Sequence, residues 1–289
     1  VNPVLAGVAL VVAYTGLISA ADTITKLIAG GYAAAQLFAL SGAGVAAMCL
    51  VGGQGLRTSC PRAMALRSAA TVLAAICFFY GFRDLPLAEM FLFIGLMPIL
   101  AALMSGPVLN EAVRPTAWIA MLAGFTGVLA LFPGGLQAIG VGHLWALAAT
   151  GVGTVSMVLA RYIGRHERNA LAQVFYPNLA LAITMGVALP FVWRPMPAAD
   201  LSLVALYALL LFGARWLVVI ALRCLAAHVV LPLMGLQFFW MAGFGAWVFG
   251  QWPSAQTLLG TAMVIGSGLV LVWDEIAPRA GTARLRTDP

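Results

Sequence analysis

Very few side chains in this 289-residue chain can do chemistry, which makes their placement informative. Arg215 stands inside a long apolar run. An ionisable group there costs roughly 2.5–3.5 kcal/mol at a helix centre on insertion scales and is a functional candidate by default. Its planar guanidinium could grip a carboxylate through two parallel hydrogen bonds. The plainer alternative is an arginine that snorkels to the interface or pairs with a carbonyl. Asp22 and Lys26 lie one helical turn apart, a spacing that suits an ion pair at the rim of the first span. The alternative is Asp22 as a proton or cation site. Glu89 closely follows Pro86 and would complement the dipole of a helix beginning there, or else meet an ammonium group or take a proton. His228 opens another apolar run, as an interfacial residue or as a proton relay.

Aromatic residues form the second group. Phe78, Phe79 and Tyr80 end one apolar run, while Trp216, Phe238, Phe239 and Trp240 fall in two later ones. Aromatic faces make good walls for apolar and cationic solutes. Consecutive residues point in different directions on a helix, so only some of them can face a common cavity. Tyr14, Ser19 and Gln237 could add polar groups to an otherwise apolar pocket. The expected binding set is therefore Tyr14, Ser19, Phe79, Tyr80, Arg215, Trp216, Gln237, Phe238 and Trp240, with Asp22, Glu89 and His228 as candidates for proton or ion coupling.

The elements that must hold these residues follow from composition. The chain is 63% hydrophobic and 8% charged, against about 25% charged in soluble domains, too little charge to cover a surface in water. The net charge of +6 rests on fourteen arginines and Lys26, dealt out singly or in threes between apolar runs. Nucleic-acid binding would need them clustered on one polar face. Cys49, Cys60, Cys77 and Cys224 show no C-x-x-C spacing and read as free thiols, with no metal site. Ser19-Ala20-Ala21 faintly resembles a signal-peptide cleavage site, but no basic region precedes it and the apolar stretch is too long; it is kept as the first helix.

Apolar runs near 20 residues long fit helices crossing about 30 Å of hydrocarbon. Barrel strands would alternate instead. The runs predict ten spans near 4–25, 32–52, 67–84, 87–108, 115–132, 143–163, 170–193, 201–222, 228–250 and 255–273. Gly30-Gly31, Pro86, Pro115, Pro133-Gly134-Gly135, Pro195, Pro197 and Pro253 punctuate them. With the N-terminus in the cytoplasm, the cytoplasmic segments hold Arg57, Arg62, Arg67, Arg114, Arg161, Arg165, Arg168, Arg223, Arg279, Arg284 and Arg286, and the opposite side only Lys26, Arg83 and Arg194. This asymmetry predicts that both termini are cytoplasmic. Trp118, Trp145, Trp193, Trp252 and Trp273 suit interfacial belts. Gly42, Gly44, Gly124, Gly127, Gly151, Gly153, Gly260, Gly266 and Gly268 suit close helix approach.

The chain also repeats itself. Residues 33–38, Ala-Ala-Ala-Gln-Leu-Phe, return as Ala170-Leu171-Ala172-Gln173-Val174-Phe175. Phe82-Arg83-Asp84-Leu85 returns as Leu222-Arg223-Cys224-Leu225, and Asn110-Glu111 aligns with Gly250-Gln251. Each match is weak, but all three recur at one shift of about 140 residues. Five spans per copy is odd, so the second copy must enter the membrane upside down. Inverted repeats with a site near the midplane are a recurring build of secondary transporters. The expected units are 1–132, the first five-helix repeat; 133–142, a connecting loop; 143–273, the inverted second repeat; and 274–289, a cytoplasmic tail.

This layout, with the segment from Pro98 through Asn110-Glu111 to Gly127, resembles the ten-helix EamA-like branch of the drug/metabolite transporter superfamily over residues 4 to 273. The second copy departs from the pattern: Gln251 stands where the family usually has Glu, and Gln237 or Phe238 where it has proline. The resemblance implies an all-α integral membrane fold, ten helices in two inverted repeats around a central cavity. It places the cavity between the third, fourth, eighth and ninth helices, with help from the first and sixth. It further implies efflux of small metabolites, commonly amino acids, and the aromatic-rich middle looks closest to the aromatic amino acid exporters. The expected location is a bacterial-type inner membrane and the expected unit a monomer, with no cofactor and no ATPase subunit. Alternatives are a lipophilic-cation exporter, an importer of another metabolite, or, in a different class, a channel-like or structural subunit. No Walker A loop is present, nor H-E-x-x-H, nor G-x-S-x-G, so neither ATP hydrolysis by a P-loop nor a membrane enzyme is indicated. Replacing Arg215 by Gln or Lys should impair transport of carboxylate solutes more than neutral ones; equal transport of both by the variant would remove its assigned role.

Overall fold

A computed structural model describes residues 3–51, 55–110, 140–225, 230 and 233–250, with isolated positions at 115, 118, 119, 122, 126, 252, 262 and 266. Among these residues every regular element is helical. The chain runs through α1 (Pro3–Ala29), α2 (Ala34–Val51), α3 (Pro61–Asp84), α4 (Leu87–Ile94), α5 (Met97–Met104), a π-helical turn (Ser105–Leu109), α6 (Val141–His166), α7 (Ala170–Val192), α8 (Ala198–Cys224), a 3-10 turn (Met234–Leu236) and α9 (Gln237–Phe249). Six of them, α1, α2, α3, α6, α7 and α8, are long and apolar enough to cross a membrane.

Their surfaces are inverted relative to a soluble protein. Leu50, Val187, Phe191, Leu209 and Trp247 lie open on the outside, while Thr15, Gln36, Thr150, Thr154, Gln173 and Asn178 are fully buried. Exposed apolar surface on this scale marks a membrane face. Some buried hydroxyls are satisfied locally: Thr150 and Thr154 each donate to the carbonyl one turn back, at 2.9 and 2.7 Å.

The expected span 87–108 is not one helix. It breaks at Gly95-Leu96 into α4 and α5, with Pro98 in the first turn of α5, where its missing N–H costs nothing. Pro107 then widens the end into the π turn, which Asn110 closes in the left-handed conformation at φ 51°. The expected span 228–250 is likewise represented by a 3-10 turn and a 13-residue helix, closed by Gly250 at φ 66°. The third helix begins at Pro61, six residues before the expected start at 67. The expected spans 115–132 and 255–273, and the tail, lie largely outside the described residues.

The largest interfaces join α3 to α6, α2 to α7 and α1 to α8. At one end of the bundle Glu167, in the α6–α7 turn, accepts hydrogen bonds from Thr58 Oγ1, Ser59 N and Ser59 Oγ at 2.8, 2.7 and 3.1 Å. Arg57, Arg62, Arg165, Arg168 and Arg223 belong to this end. At the other end Gln36 Nε2 donates to the Arg194 carbonyl at 2.7 Å while Arg194 N donates back to Gln36 Oε1 at 3.1 Å. There the Tyr32 hydroxyl donates to Asp200, and that bond holds the phenol above its ordinary pKa. Arg83 and Asp84, also at this end, form an ion pair at 2.7 Å.

The expected Asp22–Lys26 pair is replaced. Lys26 Nζ donates to the carbonyls of Leu85 at 2.9 Å and Phe82 at 3.2 Å, capping the end of α3, where carbonyls lack intrahelical partners. Asp22 faces the interior instead. Among the tryptophans, Trp193 and Trp252 are exposed as an interfacial belt requires, whereas Trp145 packs on Tyr80 at 5.2 Å.

Of the glycines, Gly42 is the tightest at the α2–α7 interface: a Cβ there would sit 2.8 Å from the Asn178 carbonyl oxygen and 3.1 Å from Ala182 N. Gly44 would meet only ordinary contact, and Gly151 and Gly266 nothing within 4 Å. Gly124, Gly127, Gly260 and Gly268 lie outside the described residues. Gly42→Ala should destabilise the purified protein by about 1–3 kcal/mol through forced separation of the two backbones. Gly186→Ala, on the same interface helix with nothing near its Cβ, should be neutral or slightly stabilising. Thermal unfolding in detergent checks both, and equal melting temperatures would contradict the close approach.

Candidate functional site

Helical periodicity turns one stripe of each long helix inward. On α1 the stripe is Tyr14, Ile18, Asp22 and Thr25; on α8 it is Tyr207, Leu211, Arg215 and Val218. Both follow the spacing i, i+4, i+8, i+11, which keeps residues on one helix face. On α3 the stripe runs Arg67, Thr71, Ala74, Ala75, Phe78, Phe79 and Phe82. Phe38 of α2, Ile94 and Met97 of α4 and α5, Gly153, Ser156 and Met157 of α6, Met234 of the 3-10 turn and Gln237 at the start of α9 complete the wall. Together they line one open cavity, mostly apolar with a few convergent polar groups, as small-molecule sites are. It lies where the two hydrophobic cores of the bundle meet and draws its lining from both.

The walls are aromatic and the corners polar. Phe38 meets Phe79 edge-on at 5.7 Å and Tyr207 at 6.4 Å, while Phe78 stacks on Phe82 at 5.9 Å. Gln237 Nε2 donates to Asp22 Oδ2 at 2.8 Å, and one turn back the Ser19 hydroxyl donates to the Gln237 carbonyl at 3.3 Å. These two bonds clamp the start of α9 onto α1. Thr71 and Ser156 share a hydroxyl–hydroxyl bond of 2.8 Å between α3 and α6.

Arg67 is the residue that the sequence reading misplaced. Counted there among the cytoplasmic charges, it is instead 6% exposed and lies six residues inside α3, about 9 Å from its start. Its partner follows from a proline. Pro177, inside α7, has no N–H to offer the carbonyl four residues back. That carbonyl belongs to Gln173, and Arg67 Nη1 donates to it at 2.7 Å and to Gln173 Oε1 at 2.8 Å. Arg215, nine residues from the end of α8, lies about 13 Å inside the same end of the bundle. Asp22 lies about 10 Å inside the opposite end, seven residues before the end of α1. Tyr14 and Tyr207 stand between, each coupled electrostatically to both Asp22 and Arg215.

Of the expected site residues, Tyr14, Asp22, Phe79, Arg215 and Gln237 line the cavity. Ser19 is buried behind Gln237. Tyr80 lies one position past Phe79 and therefore about 100° round the helix; it packs on Trp145 with the Arg83 guanidinium 4.7 Å from its ring centre. Trp216, next to Arg215, is 44% exposed on the outer face. Phe238 is buried in a core cluster and Trp240 is 37% exposed. Glu89 belongs to α4, its side chain outside the described set, as is His228 altogether. The residues that sequence reasoning missed are Arg67, Phe38, Thr71 and Tyr207; the inward stripes on α3 and α8 are the signal that carries all but Phe38.

The fold has a solved counterpart. A crystal structure matches 91% of this chain and 95% of its own with a TM-score of 0.70 at 19% sequence identity. No protein-family model matches the chain. Over 221 residues, 76% of this chain and 73% of the relative, it is 25% identical to a protein of Rhizobium johnstonii named riboflavin transporter. With six apolar helices of spanning length, the decision is clear. This is a multi-pass helical membrane protein.

The placement separates lining residues from their sequence neighbours. Phe79→Ala should weaken binding of an aromatic probe such as L-tryptophan at least several-fold, whereas Trp216→Ala should leave it within about twofold of the unchanged protein, since single contacts in a binding pocket are worth about 1–3 kcal/mol and peripheral ones little. Equilibrium binding to the purified protein in detergent checks this; equal losses in both variants would contradict the cavity assignment.

Proposed function

We propose that this protein is a secondary transporter that moves a small organic metabolite with a flat aromatic part across the membrane by alternating access. The observation that carries the reading is the cavity itself: a pocket at mid-depth of a lipid-facing bundle, walled by aromatic rings and cornered by Asp22, Arg67 and Arg215. Ionisable groups inside a membrane mark solute or ion pathways. The similarity to a protein named riboflavin transporter supports the same general role. A monomer contains the whole cavity.

In the full reading the chain has ten helices in two inverted repeats, 1–132 and 143–273, as in the EamA-like transporters it resembles. Several features support it. α1 packs on α8 as α6 packs on α3, and α2 packs on α7, the exchange expected of two copies related by a two-fold axis. Leu85 and Leu225, 140 residues apart, end α3 and α8 alike, each amide donating to the carbonyl four residues back at 2.9 and 2.8 Å. Asn110 and Gly250, also 140 apart, are the left-handed residues of the described chain. Gln36 and Gln173 both spend their side chains tethering another element. The arginine-rich end faces the cytoplasm of a bacterial-type inner membrane, and Asp22, held by Gln237, is the group placed to couple a proton.

Two cargo classes have specific support. Charges of both signs in an aromatic cavity favour export of aromatic or other apolar amino acids. The named relative favours a flavin. Purified protein in liposomes, tested with radiolabelled tryptophan, phenylalanine and riboflavin, decides between them. The expected result is saturable uptake of one class, accelerated by the same unlabelled solute inside. Uptake of none above empty liposomes would overturn the cargo proposal, and linear uptake without counterflow would replace a carrier by a channel.

A further inference from the structure

Arg67 and Arg215 reach the cavity from helices of different halves of the chain, and both enter it from the arginine-rich end. They lie at similar depth, about 9 and 13 Å inside that end, and the Arg215 charge acts on Arg67. Two cations of like sign in a region shielded from water repel each other and need an opposite charge or strong acceptors to offset them. The protein supplies little of this. Arg67 spends one nitrogen, Nη1, on the two oxygens of Gln173, and its Nε is buried with no hydrogen-bond partner. Among the described residues neither guanidinium meets a carboxylate within salt-bridge distance; the ion pair there is Arg83 with Asp84, on the exposed rim. Asp22, the cavity's own carboxylate, is held by Gln237 towards the other end.

The surroundings of Arg67 hold it in place. The Arg67 side chain is anchored by the carbonyl that Pro177 leaves free, so its fork is oriented before any solute arrives. The anchor costs one of its nitrogens and leaves the rest of the fork for a ligand. Thr71 and Ser156, one turn further along α3 and across on α6, put two bonded hydroxyls beside it. Tyr14 and Tyr207 carry the polar lining from Arg215 towards Asp22. Phe78 and Phe79 begin the aromatic wall about three turns above Arg67 on the same helix. A planar guanidinium matches a carboxylate or phosphate with paired N–H donors, and two of them converging from different helices match one such group better than they match water.

We propose that Arg67 and Arg215 form an anion subsite of the cargo cavity, which takes the carboxylate or phosphate of a metabolite whose aromatic body lies along the Phe78–Phe79 wall. The inference rests on the transporter reading and narrows it: the cargo carries a negative group at the arginine-rich end of the cavity. Because the two arginines belong to different helices, α3 and α8, the bound anion also bridges them and offsets their repulsion.

The test is equilibrium binding to purified protein in detergent of two matched pairs of probes. One pair is riboflavin and flavin mononucleotide, which differ by a phosphate; the other is L-tryptophanamide and L-tryptophan, which differ by a carboxylate. The expected result is at least tenfold tighter binding of the anionic member of one pair, carboxylate or phosphate according to the source of the charge. In Arg215→Gln that preference should fall below threefold while affinity for the neutral member changes less than threefold. Arg67→Gln should do the same, and Arg67→Lys should restore part of the preference. Because Arg67 also anchors α3 to α7, its variants are read only where thermal unfolding matches the unchanged protein, and Arg215→Gln carries the test by itself otherwise. Equal binding of neutral and anionic members would overturn the subsite and leave an aromatic cargo standing, as would an unchanged preference in Arg215→Gln. Binding of none of the four probes would also overturn it, whereas the carrier reading is decided separately by uptake into liposomes.

Discussion

A polar group inside a bilayer finds no water to pair with, so whatever the protein does not satisfy internally stays unsatisfied. The contact between Arg67 and Gln173 shows how this constraint organises the bundle. A proline in α7 releases a carbonyl, the carbonyl recruits a guanidinium from α3, and the guanidinium is thereby fixed at the edge of the cavity. The same logic sets the ends of the helices. Lys26 caps α3 from α1, and Gln36 closes the turn after α7 from α2. Several of the buried polar side chains become cross-links between helices distant in sequence in this way.

The outcome is a division of labour by face. Apolar residues with no directional demand cover the outside and fill two cores. The polar residues that remain either turn back onto their own helix, as Thr150 and Thr154 do, or meet in the cavity. The cavity persists between the cores because Phe38, Phe79 and Tyr207 pack against one another along its wall. Asp22 and the arginine pair are kept apart along the depth of the bundle by two tyrosines, so the pocket is polarised from end to end. An aromatic solute with charged groups can exploit that arrangement.

Composition, run length and the placement of prolines and glycines made the membrane-spanning helices legible, because lipid imposes the same length and apolarity on every span. They did not reveal the breaks at Gly95-Leu96 or before Gln237, since a broken helix is as apolar as a whole one. Tyr14, Phe79, Arg215 and Gln237 were recognisable as candidate lining residues because a polar or aromatic side chain deep in a span must be accommodated somewhere. Tyr80, Trp216, Phe238 and Trp240 were not separable from them by type. Their faces depend on helix rotation, and a residue one position along from a lining residue points about 100° away.

What the sequence by itself determined is the solvent of this protein and the count of polar groups it must hide, because both follow from residue chemistry irrespective of neighbours. What only the tertiary structure decided is which of those groups meet. Arg67 looked like a loop charge until the helix was seen to begin at Pro61, and Asp22 looked paired with Lys26 until α3 and Gln237 were in place. Pairing in a bilayer is settled by whichever donor and acceptor the packed helices bring within about 3 Å, and that proximity is a property of the bundle, absent from any single run of residues.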